Sequence, residues 1–499
     1  MRQGTRLSCG NVHRLFMTDL KLGYVERWTN LPEGVSASGG AVASPLGQWA
    51  WAWFEGARNP HVLLITIYIF APYFAQHLMS SPVAGQALWA DLNTLSGVII
   101  AIVAPFMGAI ADAGGRRKPW LFVFSVILGL TAAALWFALP DEQGLPFFAI
   151  CVLLVVTFAS FDFTAVFHNA MLPTLVPEKR VGALSGLGLA LGNFSGVVLL
   201  LFMLICFSLP GVVDWPFVPA TPWFGVDQAA HEPERLVGPL FALWFLLLGL
   251  PLFFFTPDQP RVTLGPVEAV KRGTRSLVRT LRSLKSYKNV TTYLVGRMIY
   301  NDGCNAILIF GGIYAATTFA WGTLDMLVYG VILSIFATFG GVFGGWLDQT
   351  FGSQRGILIS VAGTMVGLVL SLSMGPDTIL FFIPYDTALP PVHGLPFFKS
   401  WPEIIYLAIV IIIAIFITAS YANSRTMLAR IAPASKMTEF FGLYALSGTA
   451  TAFLAPFVVA RATEWSGNQA IGLASILGLL GIGFVIMLFV RNERAVAVE

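Results

Sequence analysis

The chain has little charge for its length. Charged residues make up 11% of its 499 residues and apolar ones 56%, whereas soluble proteins carry about 25% charged residues. This composition excludes an ordinary soluble domain and indicates a protein embedded in a lipid bilayer. The formal net charge is only +3, so nothing suggests nucleic acid as a partner.

Cysteines and enzyme signatures are also scarce. Three of the four cysteines, Cys151, Cys206 and Cys304, stand singly in apolar stretches, and Cys9 lies near the N-terminus. No pair has metal-ligand spacing, so packing thiols are expected. The sequence has no Ser–His pair in a supporting motif, no His–Glu metal signature and no phosphate-binding glycine loop. We therefore expect no enzyme activity, no metal and no cofactor.

The N-terminal region lacks a long apolar run. Residues 1–44 carry charges, Gly and Pro instead, which argues against a cleaved signal peptide. We expect this region to be a cytosolic tail. The lack of a targeting segment favours a bacterial inner membrane over an organelle.

Long apolar stretches fill most of the remaining chain. About 20 apolar residues cross a bilayer as a helix, and this length predicts about twelve transmembrane spans. They lie near 45–79, 87–111, 119–139, 146–170, 181–209, 236–256, 290–318, 324–347, 356–374, 402–424, 437–461 and 470–490. The predicted fold class is therefore an all-α membrane protein.

Lys and Arg are distributed unevenly between the two sides of these spans. With the N-terminus inside, 23 of the 29 fall on the inner side, three on the outer side and three within spans. Positively charged loops remain on the cytoplasmic side, so both termini are predicted to be cytoplasmic.

One loop pattern occurs twice. The first copy reads GAIADAGGRR from Gly108, and the second reads GGWLDQTFGSQR from Gly344. A second set of residues recurs at a constant offset of 256: Met171, Leu172, Pro177, Gly186 and Gly192 match Met427, Leu428, Pro433, Gly442 and Gly448. Two related halves of apolar helices are typical of a transporter that handles its solute between the halves.

The repeat divides the chain into five regions. They are a tail (1–44), a six-helix bundle (45–256), a basic cytosolic linker (257–289), a second six-helix bundle (290–490) and a C-terminal tail (491–499). The linker carries eight Lys and Arg residues, several at helical spacing. It is either an amphipathic helix on the anionic inner leaflet or a solvated tether.

The repeated loop resembles the signature of the major facilitator superfamily. Its Asp can face the positive N-terminal end of a helix from the other half, and its Arg can bind carboxylates or helix C-terminal carbonyls. Such contacts would form in one state of a transporter and break in another. We therefore predict a gate formed by Asp112, Arg116, Arg117, Asp348 and Arg355.

A narrower resemblance, to the vacuolar-effluxer-like family of that superfamily, rests on three segments. They are IFAPYF from Ile69, AVFHNAMLP from Ala165 and YNDG from Tyr300. The resemblance implies twelve helices in two pseudo-symmetric bundles, no ATP site and proton- or gradient-linked movement of small solutes, amino acids in the vacuolar members. The first span departs from the family pattern, with Glu55 in place of Asp and Arg58 in place of Asn.

Several polar residues lie at membrane depth, where an ionisable group costs several kcal/mol and is usually functional or paired. In the seventh span Asp302 is flanked by Asn301 and Asn305, and Arg297 lies one turn before Asn301 on the same face. Asp162 and Asn169 share a stripe of the fourth span. In the first span Glu55 and Arg58 precede Pro60, which should kink the helix. We predict a solute and proton cavity that comprises Asp302, Asn301, Arg297, Asp162, Asn169, Glu55 and Arg58, with structural salt bridges as the alternative.

The other polar positions have simpler interpretations. Arg425, at the repeat position of Asn169, is assigned with Glu439 to the solvated cytosolic gate. His168 is expected to be a hydrogen-bonded helix residue. Asp91 and Asn93 are expected to cap a helix or line an outer vestibule.

Together these patterns predict a monomeric secondary transporter for amino acids or similar small metabolites, linked to protons and directed outwards. An arginine would hold a carboxylate and an aspartate an amine. The alternatives are a membrane assembly factor or receptor on a transporter scaffold, and a carrier of amphipathic or lipid-like solutes.

Overall fold

A computed structural model describes residues 34–140, 143–211, 215–260, 266–282, 284–321, 323–394, 397–449 and 454–493. Most of the predicted N-terminal tail and of the C-terminal tail therefore lies outside the described residues. The division into five regions remains a prediction.

The described residues are mostly helical, as the composition predicts. The helices are α1 (Pro45–Arg58), α2 (Phe70–His77), α3 (Pro82–Gly114), α4 (Lys118–Ala134), α5 (Phe147–Leu175), α6 (Val181–Met203), α7 (Glu232–Phe255), α8 (Pro266–Arg282), α9 (Lys288–Thr318), α10 (Thr323–Phe351), α11 (Ser353–Leu372), α12 (Trp401–Ile431), α13 (Met437–Thr449), α14 (Leu454–Ser466), α15 (Gln469–Ala474) and α16 (Ile476–Leu488). A short hairpin of β1 (Thr378–Ile379) and β2 (Ile383–Pro384) lies in the loop between α11 and α12.

Nine helical segments of the described chain are long and apolar enough to cross a membrane. The first, seventh and eleventh predicted spans are not among them. The first is broken into pieces, the seventh carries Arg297 and Asp302, and the eleventh comprises α13 and α14 with residues 450–453 between them. The first and seventh of these spans carry buried ionisable residues, which at membrane depth are usually functional or paired.

The first span shows how the sequence sets such a break. Ser44 caps α1 by accepting a hydrogen bond from the Gly47 amide. The α-helix is interrupted at Asn59, directly before Pro60, and continues as a π-helix over Val62–Tyr68. Proline has no amide hydrogen and clashes with the preceding turn, which explains the break at the predicted position.

The N-terminal half (α1–α7) and the C-terminal half (α9–α16) meet most closely at the end of the bundle that carries the two repeated loops, here called the repeat-loop end. Glycines allow this approach. A Cβ atom on Gly186 of α6 would lie 2.9 Å from the Gly345 Cα atom of α10, and one on Gly442 of α13 would lie 2.6 Å from the Pro105 Cα atom of α3. Such distances leave no room for a side chain, so backbones from the two halves touch there.

Candidate functional site

The first repeated loop lies at the junction between the halves. The carboxylate of Asp112 accepts a hydrogen bond of 2.9 Å from the Glu439 amide in the first turn of α13, where unpaired amides attract negative charge. Arg117 is buried and donates 3.2 Å to Asp112, 2.7 Å to the Thr438 hydroxyl and 3.0 Å to the Ala170 carbonyl. Asp112 and Arg117 thus connect the end of α3 to the start of α13.

The second repeated loop makes the related contact on the opposite side. The Asp348 carboxylate lies against Gly182 at the start of α6 and is 2% exposed. Its cationic partner is Arg430, which binds both carboxylate oxygens at 2.9 and 2.7 Å and also donates 3.2 Å to the Glu178 carbonyl of the other half.

Two arginines of the predicted gate lie elsewhere. Arg116 and Arg355 are exposed. The arginines that bind Asp112 and Asp348 are instead Arg117 and Arg430. The sequence did not single out Arg430 because it stands some 80 residues beyond its partner Asp348. Its position in the last turn of α12 could have identified it, because the helix dipole favours a cation at the C-terminal end.

Four of the predicted cavity residues line one cavity of about 230 Å³ between the halves. Asp162 and Asn169 reach it from α5, and Arg297 and Asn301 reach it from α9. Tyr444 of α13 completes its polar lining. Drug-sized ligands occupy pockets of roughly 300–1,000 Å³, so this cavity suits a smaller solute.

The two ionisable groups of this cavity have opposite charge and lie on different halves. Arg297 is 7% exposed and donates to the Tyr444 carbonyl at 2.9 Å and to the Ser447 hydroxyl at 2.6 Å. Its guanidinium carbon lies 3.4 Å from the centre of the Tyr444 ring. Among the described residues, neither Arg297 nor Asp162 belongs to an ion pair. Both can therefore bind charged groups of a solute.

Asp302 does not line this cavity, contrary to the prediction. Its carboxylate accepts a hydrogen bond of 3.0 Å from the Ala455 amide in the first turn of α14. One residue along a helix turns by about 100°, so Asp302 leaves the face that Arg297 and Asn301 share. The Asp302 carboxylate thus contacts α14, and the structure does not bring it together with Arg297.

Glu55 and Arg58 form a separate buried cluster. Arg58 binds Glu55 at 2.8 Å and stacks on the Phe161 ring. The His168 ring lies 3.3 Å from the Glu55 carboxylate and stacks on Trp51 with ring centres 4.3 Å apart. His168 Nε2 also lies 2.8 Å from the Trp51 carbonyl. The histidine is hydrogen-bonded within helices, as expected.

Arg425 joins this cluster to the cavity. It donates 3.1 Å to the Asn169 side chain and 3.0 Å to the Ser185 hydroxyl of the other half, and it lies 3.8 Å from Glu55. Arg425 is 4% exposed and Glu439 is 1% exposed. The prediction that these two residues are solvated is therefore wrong, because both pack between helices, whereas their assignment to the gate remains a prediction. Positions 169 and 425, related by the repeat, contact each other directly.

A larger cavity of about 360 Å³ lies beside the polar one along α9. Its lining is mostly apolar, with Tyr68, Tyr329, Tyr406 and Tyr421. The hydroxyl of Tyr421, which lines the larger cavity, donates a hydrogen bond of 2.7 Å to the Asn305 side chain. Asn305 follows Asn301 by one turn and precedes the apolar lining of the larger cavity.

The two polar residues of α3 contribute little to these sites. Asp91 is exposed, and the Asn93 side chain donates 2.9 Å to the Trp89 carbonyl of its own helix. Neither lines either of the two cavities between the halves.

Comparison with known proteins gives relatives along most of the chain. A family model described as vacuole effluxer Atg22 like matches residues 81–498. The MFS-type transporter YxiO of Bacillus subtilis strain 168 is 22% identical over 465 residues, which cover 90% of this chain and 96% of YxiO. Autophagy-related protein 22 of Kluyveromyces lactis is 21% identical over 367 residues, 68% of this chain and 66% of that protein.

Among solved structures, the major facilitator superfamily transporter FucP in its outward conformation is similar, with a TM-score of 0.64 at 14% identity. The match covers 90% of this chain and 98% of FucP, which establishes the fold. The predicted fold class, twelve helices in two pseudo-symmetric bundles, is confirmed. The chain belongs to the vacuole effluxer Atg22 like family and is a membrane transporter of the major facilitator type.

Proposed function

We propose that the protein exports amino acids or related small zwitterions by alternating access, acting as a monomer and coupled to protons. The observation that carries this proposal is the 230 Å³ cavity, where Asp162 of one half faces the same space as Arg297 of the other. Arginine binds carboxylates with two parallel hydrogen bonds, and a carboxylate binds an ammonium group. A zwitterion placed here would bridge the halves.

Alternating access needs contacts that hold one end shut and can be exchanged. The hydrogen bonds from Glu439 to Asp112 and from Arg430 to the Glu178 carbonyl join the halves at the repeat-loop end. We propose that this end faces the cytosol, because the basic residues are concentrated on that side. The cavity would then exchange solute with the opposite side in the present conformation and with the cytosol after these contacts break.

Proton coupling would act at Asp162. Its ionised form holds the amine of the solute, and protonation removes that charge. Proton entry from the outside would therefore release the amine there and leave a neutral site that can return to the cytosolic side. This order couples inward proton flow to outward solute flow.

The membrane is proposed to be the bacterial cell membrane. Support comes from the Bacillus relative, which this chain matches over 96% of that protein's length. The Kluyveromyces relative is matched over 66% of its length.

The test uses purified protein in liposomes loaded with single labelled amino acids, with and without an imposed pH gradient. We expect gradient-dependent flux from the wild type. Arg297→Gln should raise the half-saturating concentration about ten-fold or more, since hydrogen bonds to charged groups contribute about 1.5–3 kcal/mol. Asp162→Asn imitates the protonated, neutral form, so it should bind the solute more weakly, and the flux that remains should no longer depend on the pH gradient.

Arg461→Gln serves as the matched control, because Arg461 is exposed and its one ion pair among the described residues is local, with Glu464 at 2.7 Å. It should transport like the wild type. Flux of no amino acid from folded, inserted protein would reject the substrate class. Unchanged kinetics in Arg297→Gln would reject the site.

A second candidate, transport of amphipathic solutes, is favoured by the larger cavity. Its 360 Å³ and mostly apolar lining would hold an apolar tail while the polar cavity binds the head group. Competition of long-chain zwitterions with a labelled amino acid distinguishes the two candidates. A scaffold or receptor without transport would give no flux for either class.

A further inference from the structure

The helix α8 between the halves has three faces of different character. The residues that face the bundle are Ala269, Gly273, Ser276, Leu277 and Thr280. The exposed apolar residues are Val267, Val270, Val278 and Leu281. The exposed basic residues are Lys271, Arg272, Arg275, Arg279 and Arg282. At about 100° per residue, the three sets occupy adjacent sectors of roughly 80–100° each.

The first face attaches α8 to both halves at the repeat-loop end. A Cβ atom on Gly273 would lie 2.7 Å from the Ile110 Cα atom, so α8 touches the last turns of α3. The Ser276 hydroxyl donates 3.1 Å to the Glu439 carboxylate, and the Lys436 ammonium donates 2.8 Å to the Thr280 hydroxyl. α8 thus bridges α3 of one half and the start of α13 of the other.

The other two faces match the surface of a membrane. An apolar sector beside a basic sector is the pattern of helices that lie in the interface, with the apolar face in the acyl boundary and the basic face among anionic headgroups. Within the sequence of α8, five basic residues stand against one acidic residue, Glu268. Because the bundle-facing sector is separate, α8 can bind the lipid surface while it stays attached to α3 and α13.

We propose that α8 is an anionic-lipid binding element that holds the repeat-loop end closed. Its ligand is the membrane surface itself, through phosphate-bearing headgroups that contact the basic face. The route to the gate is short: Ser276 contacts Glu439, whose amide donates to Asp112 across the junction. Lipid that fixes α8 against the bundle therefore also fixes the closing contact. This proposal does not depend on which solute is carried.

The first measurement places α8 relative to lipid. Val278→Cys, on a background whose other cysteines are replaced, is labelled with an environment-sensitive fluorophore in nanodiscs. Brominated phosphatidylglycerol should quench this label more strongly than brominated phosphatidylcholine. Equal quenching by both lipids, or no quenching, would overturn the assignment of the anionic ligand.

The second measurement tests the coupling to the gate. Hydrogen–deuterium exchange of segments 108–114 and 437–442 is compared in nanodiscs with and without phosphatidylglycerol. Each basic side chain near an anionic membrane surface strengthens binding to that surface about five-fold. If the binding free energy of even one such side chain of α8 stabilises the closed gate, hydrogen–deuterium exchange of the two segments should slow about five-fold. Equal exchange in the two lipids would reject the coupling.

The variant that removes the ligand site replaces Lys271, Arg272, Arg275 and Arg282 with Gln. It should lose both the preferential quenching and the lipid effect on exchange. The charge-matched control replaces four exposed basic residues at the same end but off α8: Lys179, Arg180, Lys288 and Arg491. It should keep both effects. Loss of both in the control as well, or slowing of exchange by free glycerol phosphate, would show a general charge effect and overturn the proposal.

Discussion

Replacing Arg430 with Met removes two interactions of one side chain, one that stabilises the C-terminal half and one that holds the repeat-loop end closed. Its guanidinium binds both oxygens of Asp348 within the C-terminal half and donates 3.2 Å to the Glu178 carbonyl of the other half. The pair with Asp348 should persist whichever end of the transporter is open. The bond to Glu178 can exist only while the repeat-loop end is closed.

The two contributions differ in size. Removing one partner of a buried ion pair costs about 3–5 kcal/mol; since the Arg430 side chain is 13% exposed and that of Asp348 1%, we expect the lower end, about 3 kcal/mol. A hydrogen bond from a charged donor contributes about 1.5–3 kcal/mol. Loss of the 3.2 Å hydrogen bond from Arg430 to the Glu178 carbonyl should therefore shift the equilibrium between the closed and open repeat-loop end about ten-fold towards the open form.

Two assays separate these effects. Unfolding in sodium dodecyl sulfate reports the loss of the Asp348 pair, and hydrogen–deuterium exchange of the first turn of α6 reports opening. Arg355→Met is the matched control, since Arg355 lies at the same end, is exposed and forms no ion pair among the described residues. If Arg430→Met unfolds like Arg355→Met and exchanges no faster, the assignment of Arg430 as the gate cation is refuted.

Three further predictions follow from the packing between the halves. Gly186→Ala should favour the open repeat-loop end, because its Cβ atom would lie 2.9 Å from the Gly345 Cα atom; faster exchange there checks this, with Gly478→Ala, whose Cβ has open space, as control. Glu55→Gln should lower the free energy of unfolding by about 3–5 kcal/mol, since it leaves buried arginines without their carboxylate; an unchanged unfolding midpoint would contradict this. Tyr421→Phe loses one neutral hydrogen bond, about 0.5–1.5 kcal/mol, and should relax selection by solute length; competition assays with solutes of increasing length test it.

The fold was accessible from sequence because its signals are local or repetitive. Apolar length predicts spans, Pro60 predicts the break in the first span, and the offset of 256 predicts two halves. The expectation that Asp112 faces a helix N-terminus of the other half came from the resemblance of its loop to the major facilitator signature, and in the structure Asp112 accepts a hydrogen bond from the Glu439 amide in the first turn of α13.

The candidate site could be predicted from the sequence only in part. The shared face of Arg297 and Asn301 follows from helical periodicity, and both line the polar cavity. That Asp302 binds the Ala455 amide of α14 instead does not follow, because this contact joins residues 153 positions apart along the chain.

By itself, the sequence determined the membrane environment, the two related halves and the positions of charges along each helix, since these depend on hydropathy, periodicity and repetition. The tertiary structure decided which charges meet. Arg430 rather than Arg355 pairs with Asp348, and Arg425 is buried against Asn169 rather than solvated. These pairings join residues from different helices, and their geometry depends on how the helices rotate and cross, which the spacing of residues along one chain does not specify.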